Sequence, residues 1–499
     1  MSAEQSTEQD QLIIDTPLGR IRGIRRPVEG RDDITSFMGI PFAQAPVGDL
    51  RFAAPVPADP WDGIRDALAF GPTPQRGDPG VTLIPEPSVP GESTLNLNVT
   101  TPAAGDNDAK LPVLVWIHGG GFFSGSPASP WYNSTGFARD GVVTVVVSYR
   151  LGFDGFGHIP GAPENRGVRD WLCALEWVRD NIASFGGDPE KVTIAGQSAG
   201  GGAALTLLGM PAARGLFRGV ISLSGALADV SLPRAKELTT ALAESAGVSP
   251  DLAGFGSVPE EKLIELQLKN TSLTAKGALQ KMLDEGLSLG PIVDGDLLPR
   301  PTTEALADGQ GNDVPLWLSA TDDEFAMAFT KAAKFLRFLP ASRMITKMGG
   351  TKEARRAWMT HNADVKALGT ASVMGRFLTD RMFRVNLAEL ADLRSGTPTW
   401  VSRFSWRSPV FSAAVHCLDV PFFFDCLGSE KVEPLAGPNP PQELADILHA
   451  SALGFIRDSN PGWGTYTPEA KNTRVFDSHT RTIADGYASV RALRPGAAL

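Results

Sequence analysis

Three short runs of the chain are apolar almost without interruption: Val113–Ile117, Val142–Val147 and Val192–Ile194. A run with no polar face suits a strand covered on both sides, so these predict central strands of a sheet with helices on both faces. Between the second and third lies "RGVRDWLCALEWVRDNIASFGG", where Leu172, Leu175, Val178 and Ile182 recur at helical spacing and Gly186-Gly187 supply the stop. Ala203, Ala204, Leu205 and Leu207 predict a second helix, and "GVISLSG" a further strand. Alternating strands and helices imply an α/β fold with a doubly wound, mostly parallel sheet. Upstream, "DTPLGRIRGI" and "ITSFMGIPFAQAPVGDLRFAAP" predict edge hairpins and ordered loop, and the Pro/Gly-rich stretch from Gln75 to Ser93 a long loop. From about 232 to 395 helical patterns dominate, broken by the strand-like "VPLWLSA"; they predict a large helical insertion over one end of the sheet. Residues 1–10 are expected to be a disordered tail, and 11–499 a single domain.

The third run leads into "KVTIAGQSAGGGAA", which sets Ser198 between Gly196 and Gly200. A G-x-S-x-G between strand and helix exposes a serine on a sharp, strained turn that larger flanking side chains would block. The helix starting at Ala199 also aims its N–H groups toward that serine. The competing reading is a Gly/Ala-rich turn holding an incidental serine, so the remaining residues must decide.

A serine attacking a carbonyl builds negative charge on its oxygen, which needs backbone N–H donors. "HGGGF" ends the Val113–Ile117 strand and lets the backbone curl with its N–H groups inward; Ala199 adds a donor. A base follows from elimination among six histidines. In the order serine, acid, histidine, His118 and His158 come too early, His361 and His449 lie in helical patterns, and His479 stands in a polar tail. His416, in "FSAAVHCLDVPFFF", is the choice, with a buried structural histidine as the rival reading. An acid to orient it is offered three times after the strand-like island, by Asp322, Asp323 and Glu324, and spacing does not choose among them.

Composition narrows the classes. At 42% hydrophobic and 20% charged residues the chain is an ordinary globular one, which excludes disorder over most of its length. A net charge of −10 argues against a general nucleic-acid partner. The acidic, polar start lacks a signal-peptide pattern, no stretch reaches the roughly 20 apolar residues of a membrane span, and three cysteines make no disulfide framework. A soluble, cytoplasmic protein is expected.

Taken together, "FMGIPFAQAPVGDLRF", "WIHGGGFFSGS", "VVVSYRLGF", "FGGDPEKVTIAGQSAGG", "GLFRGVISLSG", "PIVDGDLLP", "DDEF" and "AVHCLDVPFFF", in this order, resemble the type-B carboxylesterase family. The resemblance covers nearly the whole chain. It implies the α/β-hydrolase fold, Ser198 as nucleophile, Glu324 as acid and His416 as base. It likewise implies an oxyanion hole from the N–H groups of Gly120, Gly121 and Ala199, with Ser224 supporting the acid. Departures are also present: Thr94 stands where a loop-closing cysteine is usual, Phe325 where glycine is common, Trp171 for a frequent glutamine, and Cys417 after His416. No Trp falls between Trp61 and Trp116, which disfavours a cholinesterase.

The expected activity is hydrolysis of carboxylic esters through an acyl-enzyme, with a small-molecule ester and water as partners and no cofactor or metal. Phe122, Phe123 and Phe423 are expected to line an apolar pocket, or else to be core. Rival readings are an aryl carbamate or amide hydrolase using the same residues, a lipase, and a non-catalytic adhesion-type homologue.

Overall fold

The computed structural model describes residues 10–28, 31, 33–74, 83–272, 277–329, 332–346, 348, 351–394 and 396–494. In chain order the strands are β1 (Gln11–Thr16), β2 (Gly19–Arg26), β3 (Ile34–Pro41), β4 (Ile64–Asp66), β5 (Asn96–Thr101), β6 (Leu111–Ile117), β7 (Val143–Val147), β8 (Gly187–Gln197), β9 (Gly219–Leu223), β10 (Val230–Ser231), β11 (Ile292–Val293), β12 (Leu316–Thr321), β13 (Thr399–Phe404), β14 (Asn472–Phe476) and β15 (Arg481–Ala484). All except β10 and β11 join one sheet, ordered β1-β2-β3-β5-β7-β6-β8-β9-β12-β13-β14-β15, with β4 beside β2. From β7 to β14 every neighbouring pair is parallel. The N-terminal strands β1, β2, β3 and β5 are antiparallel, as the edge-hairpin reading expected.

The apolar runs are central strands because both of their faces are covered. Along β6, Val113, Val115 and Ile117 share a core with Leu175, Val178 and Leu205, while Leu114 and Trp116 share the opposite core with Leu448, Ala452 and Phe455. The first set belongs with the helices Arg166–Asn181 and Ala199–Leu208, the second with the helix Gln442–Asp458. Each such side chain contributes about 1.5–3 kcal/mol by leaving water. No helix among the described residues is long and apolar enough to cross a membrane.

The helical stretch after residue 232 is divided by β12, which sits in mid-sheet between β9 and β13. The strand-like island is therefore part of the central sheet. Of the other terminal and loop readings, 1–9 and 75–82 lie outside the described residues, while 83–93 carry no helix or strand.

Candidate active site

Ser198 joins β8 to the helix Ala199–Leu208, at φ 57° and ψ −123°. A non-glycine residue at positive φ is strained and must be held by its surroundings. Here the Ser198 N–H donates to the Leu223 carbonyl at 2.9 Å, and its own carbonyl accepts from Gly202 N–H at 2.9 Å. The flanking glycines are required by space: a Cβ on Gly196 would lie 2.3 Å from Gly200 C, and one on Gly200 would lie 2.0 Å from the Ile117 carbonyl oxygen. The helix is thereby seated against the end of β6.

The glycine loop follows β6 at that same edge. A Cβ on Gly119 would stand 3.2 Å from Ser198 Cβ, so this loop runs directly beside the serine. Gly120 and Gly121 adopt φ of 120° and 62°. The Gly120 carbonyl closes the turn by accepting from Ser124 N–H at 2.9 Å. Among the described residues, the N–H groups of Gly120, Gly121 and Ala199 donate to no protein acceptor.

His416 lies in the turn after Val415, with Nδ1 2.5 Å from Glu324 Oε2. Glu324 is 2% exposed, and its other oxygen accepts from Thr321 N–H at 2.9 Å, which locks the carboxylate at the end of β12. Its two neighbours are engaged elsewhere. Asp322 pairs with Arg403 at 2.7 Å and faces Arg384 at 3.7 Å, whereas Asp323 accepts from Arg376 at 2.8 Å. Burial opposes ionisation of Asp322, yet Arg403, Arg384 and Arg376 hold its carboxyl well below the usual carboxylate range. Of the three acids, only Glu324 reaches a histidine.

Burial works against a charged His416, while Cys417 and Glu324 work for it, and the imidazole is held well above its ordinary value. Burial also pushes the Cys417 thiol up, so the thiol is neutral near pH 7 and the Glu324 carboxylate is what favours the imidazolium. The imidazole packs against Phe383 at 5.3 Å and parallel to Phe325 at 6.3 Å between ring centres. Phe383 is placed there by a π-helical turn, Asp380–Arg384, which also turns Arg384 toward Asp322.

The other histidines are apart from this cluster. His118 is buried, its Nδ1 2.8 Å from the Gly119 carbonyl, and burial takes it down to about 4. His449 Nδ1 contacts the Phe423 carbonyl at 2.8 Å, and the His361 ring contacts the Ala357 carbonyl at 3.0 Å.

Three expectations about surrounding residues need correction. Ser224 is buried, but its Oγ has no hydrogen-bond partner among the described residues; Glu324 is braced by Thr321 instead. Phe122 is 1% exposed and packs at a tilt against Phe156 and Trp171, because its φ of 66° turns the ring inward. Phe423 is likewise core, against Trp116 and Phe137. Phe123 alone of the three faces open space. It separates a cavity of about 520 Å³, which reaches Gly121 and is walled by Leu238, Ala241, Leu287 and Leu289, from one of about 470 Å³ walled by Val47, Leu151, Phe153 and Ile264.

Two further residues escaped the sequence reading. Gln197, the second residue of G-x-S-x-G, brings its amide nitrogen 3.2 Å from His416 Nε2. Among the described residues Ser198 Oγ has no hydrogen-bond partner, so Gln197 holds the position a serine proton would take. Asp419 is buried three residues beyond His416; burial and then the Glu324 charge push its carboxyl up to about 7, against the pull of His416. Neither shows in the pattern of polar positions, since each depends on contacts made across the fold.

The carboxylesterase family model matches residues 10–485. The chain is 31% identical over 490 residues to the para-nitrobenzyl esterase of Bacillus subtilis (strain 168), covering 93% of this chain and 95% of that protein. It is 33% identical over 495 residues to the phenmedipham hydrolase of Pseudarthrobacter oxydans, covering 93% and 96%. A crystal structure of the Geobacillus stearothermophilus carboxylesterase superposes with a TM-score of 0.81 at 34% identity, covering 96% of this chain and 99% of that one. The parallel sheet with helices on both faces is thus an α/β-hydrolase fold. The chain belongs to the carboxylesterase family, and its activity is that of a serine hydrolase acting on carboxylic esters.

Proposed function

We propose that Ser198 is the nucleophile, His416 its general base and Glu324 the group that orients His416. The observation that carries this reading is the ion pair of a buried, Thr321-braced Glu324 with His416, whose Nε2 meets Gln197, the residue before Ser198. In the reaction His416 Nε2 takes the Ser198 proton and the serine oxygen attacks the ester carbonyl. The oxyanion then accepts from Gly120, Gly121 and Ala199 N–H. His416 returns the proton to the departing alcohol, and water repeats the sequence on the acyl-enzyme. For this, Ser198 Oγ replaces the Gln197 amide at Nε2. Resting sites often hold such contacts loosely and tighten them with substrate.

Small to medium uncharged esters suit the apolar walls around Phe123, which would divide the acyl from the alcohol side. The fold supports reading 11–499 as one domain, since one sheet takes strands from both ends of the chain. Three buried cysteines, all unpaired, favour a reducing, cytoplasmic setting. A carbamate-hydrolase reading also has a specific support, the likeness to phenmedipham hydrolase over the same length. Measuring kcat/KM for an aryl acetate and an N-aryl carbamate distinguishes the two: the ester is expected to be favoured, and a strong carbamate preference would overturn that.

Gln197 makes a second prediction. Because His416 Nδ1–H is directed at Glu324, the Nε2 lone pair faces the Gln197 N–H donors, and that donation opposes protonation. Gln197→Glu puts an acceptor there instead and favours the imidazolium. The acid limb of kcat/KM is expected to move about one pH unit or more upward. A limb that stays in place or moves down refutes this role for Gln197.

A further inference from the structure

Beyond the active site, the most unusual surface lies on the segment that follows Glu324 and Phe325. Phe335 is 79% exposed, Phe338 72%, Leu339 45% and Leu368 56%. They form one patch. Phe338 N–H donates to the Phe335 carbonyl, and Thr370 Oγ1 donates to the Leu339 carbonyl at 2.7 Å, which brings the Leu368 turn alongside. Large apolar side chains gathered on a surface mark a docking site more often than isolated ones do.

The surrounding charge says what docks. Residues 333–369 carry eight Lys and Arg against two acidic residues, in a chain whose net charge is −10. Lys334, Arg337, Arg343, Lys352, Arg356 and Lys366 are solvent-facing, and none forms an ion pair among the described residues. The Arg337 guanidinium lies 4.5 Å over the Phe338 ring, so cation and aromatic are presented together. Basic groups beside exposed aromatic and leucine side chains match the boundary of an anionic bilayer, where rings enter the headgroup layer and cations meet lipid phosphates. A symmetric contact with a second copy would set this cationic patch against itself, which disfavours that occupant.

We propose that this patch docks the enzyme peripherally on an anionic lipid surface, without any segment spanning it. The helix Thr370–Thr379 links the patch to the residue after Glu324: Thr370 Oγ1 donates to the Leu339 carbonyl, and Thr379 Oγ1 accepts from Phe325 N–H at 3.1 Å. The proposal does not depend on which residues perform the chemistry.

The test is co-sedimentation of the full chain with vesicles of equal parts phosphatidylglycerol and phosphatidylcholine, and with phosphatidylcholine alone. Binding is expected to the anionic vesicles only and to fall as salt rises. Each of Lys334→Glu and Arg337→Glu is expected to weaken partitioning about fivefold or more. Phe335→Ser with Phe338→Ser should abolish it while turnover of a water-soluble ester stays at the wild-type rate, which reports that the variant is folded. Failure of the wild type to sediment with anionic vesicles overturns the proposal, as does equal binding to neutral ones. So does concentration-dependent self-association in the ultracentrifuge that the same substitutions remove, since it assigns the patch to a second copy.

Discussion

Ser198→Ala is expected to reduce kcat for p-nitrophenyl acetate by about a thousandfold or more, with an unchanged circular dichroism spectrum. The removed hydroxyl makes no hydrogen bond to a described residue, so its loss leaves no protein group unsatisfied and should cost little stability. The strained φ of 57° is imposed by the Leu223 and Gly202 hydrogen bonds, both of which are backbone contacts that alanine keeps. Chemistry and folding therefore separate cleanly in this variant. A folded Ser198→Ala enzyme with wild-type turnover would remove Ser198 from the mechanism, whatever the rest of the cluster does.

Glu324→Gln should lower kcat by roughly 10³–10⁴ while preserving the fold. The amide oxygen can still accept from Thr321 N–H, but the amide nitrogen then faces His416 Nδ1 and donates to it. That selects the tautomer protonated on Nε2, which has no lone pair for the serine proton. The pH dependence should change in a definite direction. In the wild type burial works against a charged His416, and the Glu324 carboxylate works for it and raises the imidazole above its ordinary value, so kcat/KM is expected to rise with pH through a midpoint above 6.5. Sign follows from the base being active only when neutral: raising its pKa moves the acid limb alkaline, and removing Glu324 moves it back. With Asp419 at about 7 close by, the observed midpoints belong to the coupled group. Residual activity close to wild type, or an alkaline shift in Glu324→Gln, would exclude the orienting role. Measuring both the rate and the pH profile keeps that conclusion separate from a simple loss of folding.

Much of the arrangement could be read along the chain because it is local. Runs covered on both faces must be apolar at successive positions, so β6, β7 and β8 announce themselves in sequence. The turn at Ser198 needs glycine where a Cβ would strike backbone, and the glycine loop needs it at Gly120, so both appear as compact motifs. Other features rest on partners 53 to 219 residues away along the chain. Asp322, Asp323 and Glu324 are consecutive acids until Arg403 and Arg376 claim the first two, which only the packing of β13 and the helix Thr370–Thr379 brings about. Phe122 and Phe123 are adjacent and identical in chemistry, yet a left-handed backbone sends one ring into the core and leaves the other between two cavities. Gln197 meets His416, and Ser224 misses Glu324, through side-chain directions that no spacing encodes. Sequence by itself determined the sheet, the serine turn and the glycine loop, since these follow from short-range sterics and two-sided burial. Tertiary structure alone decided which acid, which phenylalanine and which neighbour face the imidazole, because those choices depend on long-range charge pairing and backbone direction.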